Sequence, residues 1–362
     1  MSRVFATAQR AAKLAAATIF ALLVAIGMRT NAHADQALYA VTNPPVINIS
    51  IGGGTVTVRT WDRPQVQVDS TIALQVQQFS SDAMARNVPR EITVLAGDIE
   101  SPRGLLTLPR ETFVLGSGAS GPHDGLAITG SGGQTTISIP ASTALVVARM
   151  PHAFVTIDGY RGIFFVRLRT GWIHLTNAGG EGFVQMMRGP IVANDSNFIR
   201  LRARSAVGNI LFERCHARQI EVSAIAGAID YDNGSFEPGL ARFESQYGAV
   251  ALGIGSGSAQ INAHTDGGRI LYNYGRRVNV AARGNDASAA VGNGGPLVNV
   301  SSGGPVLLYD GALRSRSGLN GGWKTADEVI NRVRQRVQKP PATTARPPLP
   351  RRPPPRLRPL KS

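Results

Sequence analysis

The sequence predicts an all-β protein built as a repetitive β-solenoid, parallel β-helix-like, with coils of about 19–21 residues. Three observations predict it. A glycine-centred pattern recurs at near-constant spacing, apolar residues alternate at period two on both sides of that glycine, and a lone cysteine, Cys215, leaves stability to burial and stacking.

The pattern runs Gly171-x-Ile173-x-Leu175, Gly189-x-Ile191-x-Ala193, Gly208-x-Ile210-x-Phe212, Gly227-x-Ile229-x-Tyr231, Gly248-x-Val250-x-Leu252 and Gly268-x-Ile270-x-Tyr272, with steps of 18, 19, 19, 21 and 20 residues. A second apolar pair stands seven and five residues before the glycine: Phe164/Val166, Leu201/Ala203, Ile220/Val222, Ala241/Phe243 and Ile261/Ala263. Before Gly189 the pair half fails, at Gly182 and Val184. Ile47/Ile49, Gly54 and Val56/Val58 fit every position, whereas Gly304-x-Val306-x-Leu308 fits only the second half.

Each unit therefore reads as strand, glycine turn, strand, with one apolar face. Such a face is buried by stacking units, in ladders such as Ile173, Ile191, Ile210, Ile229, Val250 and Ile270. Leucine-rich, propeller and calcium-binding nonapeptide signatures are missing, which leaves a sandwich of hairpins as the competing architecture.

Flanking segments have their own signatures. Arg3, Arg10 and Lys13, the apolar run Leu14–Met28 and Ala32-His33-Ala34 form a secretory signal peptide over 1–34, with cleavage after Ala34. No stretch of the mature chain reads as a transmembrane segment. The solenoid domain spans 35–324, with an irregular interruption at 73–138 where the frame is lost. Thr325-x-x-Glu328 is a capping box opening an amphipathic helix over 325–338, with Val329, Ile330, Val333 and Val337 on one face, expected to cap the stack's end. Residues 339–362 are Pro/Arg-rich and read as a disordered tail of polyproline II character.

Charge is concentrated in those flanks. Of a net +15, four charges sit in 1–34 and seven in 339–362, neither with an acid, which leaves +4 on residues 35–338. The folded body therefore gives no sign of a nucleic-acid groove. The tail's Arg346, Arg351, Arg352, Arg356, Arg358 and Lys361 are candidates for holding a polyanion, which for an exported protein means anionic envelope glycans or lipids.

Chemistry is harder to find. Asn194, Glu213 and Asp232 share a frame position and should stack, with Asp230 pointing outward from the same strand as Asp232. Paired carboxylates could serve as acid and base on a polysaccharide, as a lyase or hydrolase would use them. Outward polar residues on a half-solvated strand are nevertheless the ordinary case, so no catalytic residue is assigned. Cys215 and His216 face opposite ways on one strand and cannot pair. No metal-ligand spacing and no nucleotide loop appears, so no cofactor is expected.

The units around Ile47–Val58 and Phe164–Tyr272 resemble the bacterial putative-adhesin family of unknown function, an exported domain of recurring short strands and glycines. The resemblance implies display outside the cytoplasm (periplasm, cell surface or medium) and binding or scaffolding, and it supplies no catalytic residues. The reading is therefore an exported, non-enzymatic envelope or surface protein. The alternative is a carbohydrate-active enzyme using Asp230, Asp232 and Glu213.

Overall fold

The computed structural model describes residues 36–41, 44–79, 91–94, 97–101, 104–108, 111–114, 125–255, 257–273 and 278–310. The predicted leader 1–34, helix 325–338 and tail 339–362, with its candidate residues Arg346, Arg351, Arg352, Arg356, Arg358 and Lys361, lie outside the described residues.

In chain order the strands begin with β1 (Ala37–Ala40), β2 (Val46–Ile51), β3 (Thr55–Trp61), β4 (Gln65–Ser70) and β5 (Gln75–Phe79). Then come β6 (Glu91–Val94), β7 (Gly97–Ser101), β8 (Gly104–Leu108), β9 (Glu111–Val114), β10 (Gly125–Gly130) and β11 (Gln134–Pro140). The middle holds β12 (Leu145–Asp158), β13 (Ile163–Thr176), β14 (Gly179–Arg188), β15 (Ile191–Asn194), β16 (Asn197–Val207), β17 (Ile210–Glu213), β18 (His216–Ala226) and β19 (Ile229–Phe236). The last are β20 (Ala241–Ser245), β21 (Val250–Ile254), β22 (Ala259–Thr265), β23 (Ile270–Asn273), β24 (Val278–Arg283), β25 (Asp286–Val291), β26 (Leu297–Ser302) and β27 (Val306–Asp310). The architecture is all-β, with no helix among the described residues. Twenty-three strands join one hydrogen-bonded sheet, mostly in parallel, and β6–β9 and β7–β8 form two separate antiparallel pairs.

Two in-register ladders carry the core. The first is Leu126–Ile47–Val146–Phe164–Gly182–Leu201–Ile220–Ala241–Val298–Ile261. The second is Thr135–Val56–Val155–Ile173–Ile191–Ile210–Ile229–Val250–Val306–Ile270. Most of these side chains are fully buried, because each unit covers the apolar pair of the next.

The recurring glycine is explained by close approach. A Cβ on Gly208, whose φ is +148°, would lie 2.0 Å from the Gly189 carbonyl oxygen, and Gly189 stands in the same relation to Gly171. A side chain there would drive neighbouring units apart. Gly182 breaks the apolar pair for a different reason: the Phe164 ring fills its place, 2.2 Å from where a Cβ would be.

Spatial order departs from the ladder read in the sequence. Val306, not Ile270, lies beside Val250, and Ile270 lies beyond it. At the other end β2 and β3 sit between the β10–β11 pair and β12. Three outer strands are covered by antiparallel partners, β5 on β10, β4 on β11, and β25 on β22 with β24 continuing beyond β25, whereas β23 pairs with β27 alone among the described residues.

The interruption is narrower than 73–138. Within it Leu126 and Ile128 precede Gly133 by the frame's seven and five residues, and β10 and β11 pair in register with β2 and β3. The match is hidden because a threonine, Thr135, takes an apolar position, where it bonds Ser70 Oγ at 3.0 Å.

Candidate functional site

The outward face of β13, β15, β17, β19, β21 and β27 carries the predicted acidic cluster. Asn194, Glu213 and Asp232 stack as expected, and Asp230 lies in the adjoining outward row between Leu211 and Ala251. The structure corrects the expectation that these carboxylates face solvent. Asp230 is 2 % and Asp232 9 % exposed.

Tyr309, on β27, accounts for part of this. Its hydroxyl lies 2.9 Å from Asp232 Oδ1 and 3.2 Å from Asp230 Oδ1. Tyr309 is paired with Gly253, and a Cβ on Gly253 would sit 2.6 Å from the tyrosine ring. The missing side chain is what lets the ring cross to the acidic pair. Since a phenol donates one proton, it serves one carboxylate at a time.

Glu213 is held differently. Arg214 contacts it and clamps Asp195 with Nε at 2.6 Å and Nη2 at 2.9 Å. That clamp holds Asp195 below the usual carboxylate range, while the carboxylates raise Arg214. Arg214 also adopts φ 51°, in a row of left-handed residues with Asn177, Asp195 and Asn233. Nearby, His174 Nε2 meets Asn194 Oδ1 at 2.6 Å.

The same face has an apolar half. Trp172, Val192 and Leu211 point away from the core yet form a second buried cluster, with Phe154 against it. Val192 is fully buried. Two polar atoms here, Trp172 Nε1 and Glu213 Oε2, are buried with no hydrogen-bond partner among the described residues.

Cys215 is buried and its thiol pushed up to about 12, mainly by burial, while the adjacent His216 is exposed, so the expected opposite orientation holds. Among the described residues no group of three metal-ligating side chains comes together, and no helix is long and apolar enough to cross a membrane.

A surface the sequence did not single out lies near the other end of the stack. The β24–β25 hairpin folds over the outward side of β20, β26 and β22, enclosing an open groove of about 710 Å³. Arg242, Glu244, Asn262 and His264 line its floor, and Arg283 and Asp286 its wall. His264 bonds Asp286 at 2.7 Å and Asp266 at 3.0 Å, and these carboxylates raise its pKa above 6.5. Only the hairpin's non-local return assembles these residues, although Arg242, Glu244 and His264 each occupy outward frame positions.

Comparison with known proteins adds little. No family model matches the chain, and no curated protein matches it. A solved structure of a putative cell adhesion protein from Clostridium sporogenes is similar at 11 % identity, over 76 % of this chain and 98 % of its own, with a TM-score of 0.25. A likeness at that level carries no argument about fold or function.

Proposed function

We propose that this is an exported, non-enzymatic binding or scaffolding protein of the cell envelope or surface, adhesin-like, whose units are the coils of a β-solenoid. The supporting observation is the open polar groove over β20, β26 and β22, where arginine, glutamate, asparagine and histidine side chains stand in register. A row of planar donors and acceptors at strand spacing suits an extended polar chain such as a glycan. The basic tail, with Arg346, Arg351, Arg352, Arg356, Arg358 and Lys361, adds a tether to anionic glycans or lipids, and the leader 1–34 supplies export.

The enzyme reading has less support, since Asp230 and Asp232 are buried and hydrogen-bonded to Tyr309. Unchanged turnover of a polysaccharide after Asp230→Ala or Asp232→Ala would remove it.

The deciding experiment is co-sedimentation of residues 35–362 and 35–338 with a cell-envelope preparation across a salt series. Binding that falls with salt and is lost without the tail supports the tether. Equal binding by both forms places recognition on the β body, and Arg283→Ala with Asn262→Ala then tests the groove. Absence of binding by either form overturns the proposal.

A further inference from the structure

A sheet face that points away from the core ordinarily meets water and carries polar residues. The outward face of β13, β15, β17, β19 and β21 does not conform. Trp172, Val192, Leu211 and Ala251 are at most 6 % exposed, and Asp230 and Asp232 are buried beside them. Trp172 Nε1 and Glu213 Oε2 lack partners among the described residues. An element laid over this face needs apolar side chains for the Trp172 cluster, and basic ones suit the neighbouring carboxylates.

The chain itself offers such an element. It leaves β27 at Asp310, on this same sheet, and continues through Arg314, Arg316, Trp323 and Lys324 into the amphipathic run 325–338. That run has Val329, Ile330, Val333 and Val337 on one helical side and Arg332, Arg334 and Arg336 among them. Lengths agree as well. From Trp172 on β13 to Ala251 on β21 is four strand steps, about 19 Å, and fourteen helical residues extend about 21 Å. An end cap has less to cover, because β27 is an interior strand and antiparallel strands already lie on β10, β11 and β22, which leaves β23 as the outer strand with one partner among the described residues.

We propose that residues 325–338 dock as a helix along the outward face of β13–β21, laying Val329, Ile330 and Val333 on Trp172, Val192 and Leu211, with basic residues toward the acidic side of that face. The body then has two layers on this side, and binding is left to the groove and tail.

Two measurements on the full chain test it. The first is hydrogen exchange of the unmodified protein. An isolated helix of this length is marginal in water, so free exchange across 325–338 overturns the proposal, and slowing of about 100-fold or more supports it. The second is thiol labelling of Leu211→Cys, read by peptide mass, with and without Val329→Asp and Val333→Asp. The expected result is that the introduced thiol is silent in the first background and labels at least about tenfold faster in the aspartate variant. Buried Cys215 stays silent in both and reports an intact body. Equal labelling of the introduced thiol in both backgrounds, fast or slow, overturns the assignment to this face.

Discussion

Tyr309 reaches back 77 residues to Asp232, its hydroxyl 2.9 Å from the carboxylate, over the one position in that outward row where Gly253 has no side chain. Chain exit, acidic pair and glycine are thereby one arrangement. Tyr309→Phe removes a donor from two buried carboxylates and is expected to cost about 1–3 kcal/mol. Gly253→Ala is expected to displace the ring and destabilise in the same direction. In a Tyr309→Ala background the Gly253→Ala cost should shrink, a non-additivity read from urea unfolding midpoints. Additive costs would mean that the ring and the glycine are uncoupled.

The glycine row makes a sharper contrast. Gly208→Ala places a methyl 2.0 Å from the Gly189 carbonyl oxygen at a φ of +148°, whereas Gly132 has nothing within 4 Å of the same added carbon. The first substitution is expected to cost about 3 kcal/mol or more, and the second to stay within about 0.5 kcal/mol. Thermal unfolding of the two variants distinguishes them directly.

Acid should weaken the Asp195–Arg214 clamp. Because the guanidinium holds the folded carboxyl below its ordinary 3.8, its contribution is present above that value and lost as pH falls through the lower folded one. The pair is about two-fifths exposed, so solvent screening limits the effect to at most about 0.5–1 kcal/mol. Comparison of the parent with Asp195→Asn should show a stability gap at pH 6 that narrows as pH falls below 3.8.

In the groove, His264 carries the opposite sign. Asp286, and then Asp266, raise its folded value above 6.5, so its contribution is complete below that pH and disappears as pH rises through the folded value. Imidazole resonances followed by NMR should show a midpoint above 6.5, and Asp286→Asn should lower it more than Asp266→Asn does. A midpoint unchanged by Asp286→Asn would break the assignment.

The repeat was legible because burial at period two leaves a visible trace in Ile, Val and Phe. Where other physics substitutes, the trace fades. Thr135 satisfies its hydroxyl on Ser70, Ala153 stands where most units have glycine, and Gly182 yields its place to the Phe164 ring. Val298 and Val300 pair in register with Ala241 and Phe243 but reach Gly304 by a corner one residue shorter, so a fixed spacing misses them. Strand order was not legible, since Val306 and Ile270 offer Val250 nearly the same surface and hydrogen bonds. The acidic residues were correctly placed in rows, but their burial depends on Tyr309, contributed by a strand far along the chain. The groove depends on β25 returning to β22, a pairing with no local signature.

The insertion of β2 and β3 between β10–β11 and β12, and of β27 between β21 and β23, bears on how the molecule carries load. In a stack threaded in simple order, tension on a terminus peels the outermost turn, breaking one row of hydrogen bonds at a time. Here β2, β3 and β27 are each held between two strands, so two rows must rupture together to free any of them, whereas β1, ahead of them in the chain, is held by β4 alone. Once β1 is shed, force entering through β2 or through β27 therefore meets paired rows and does not unzip the sheet one row at a time.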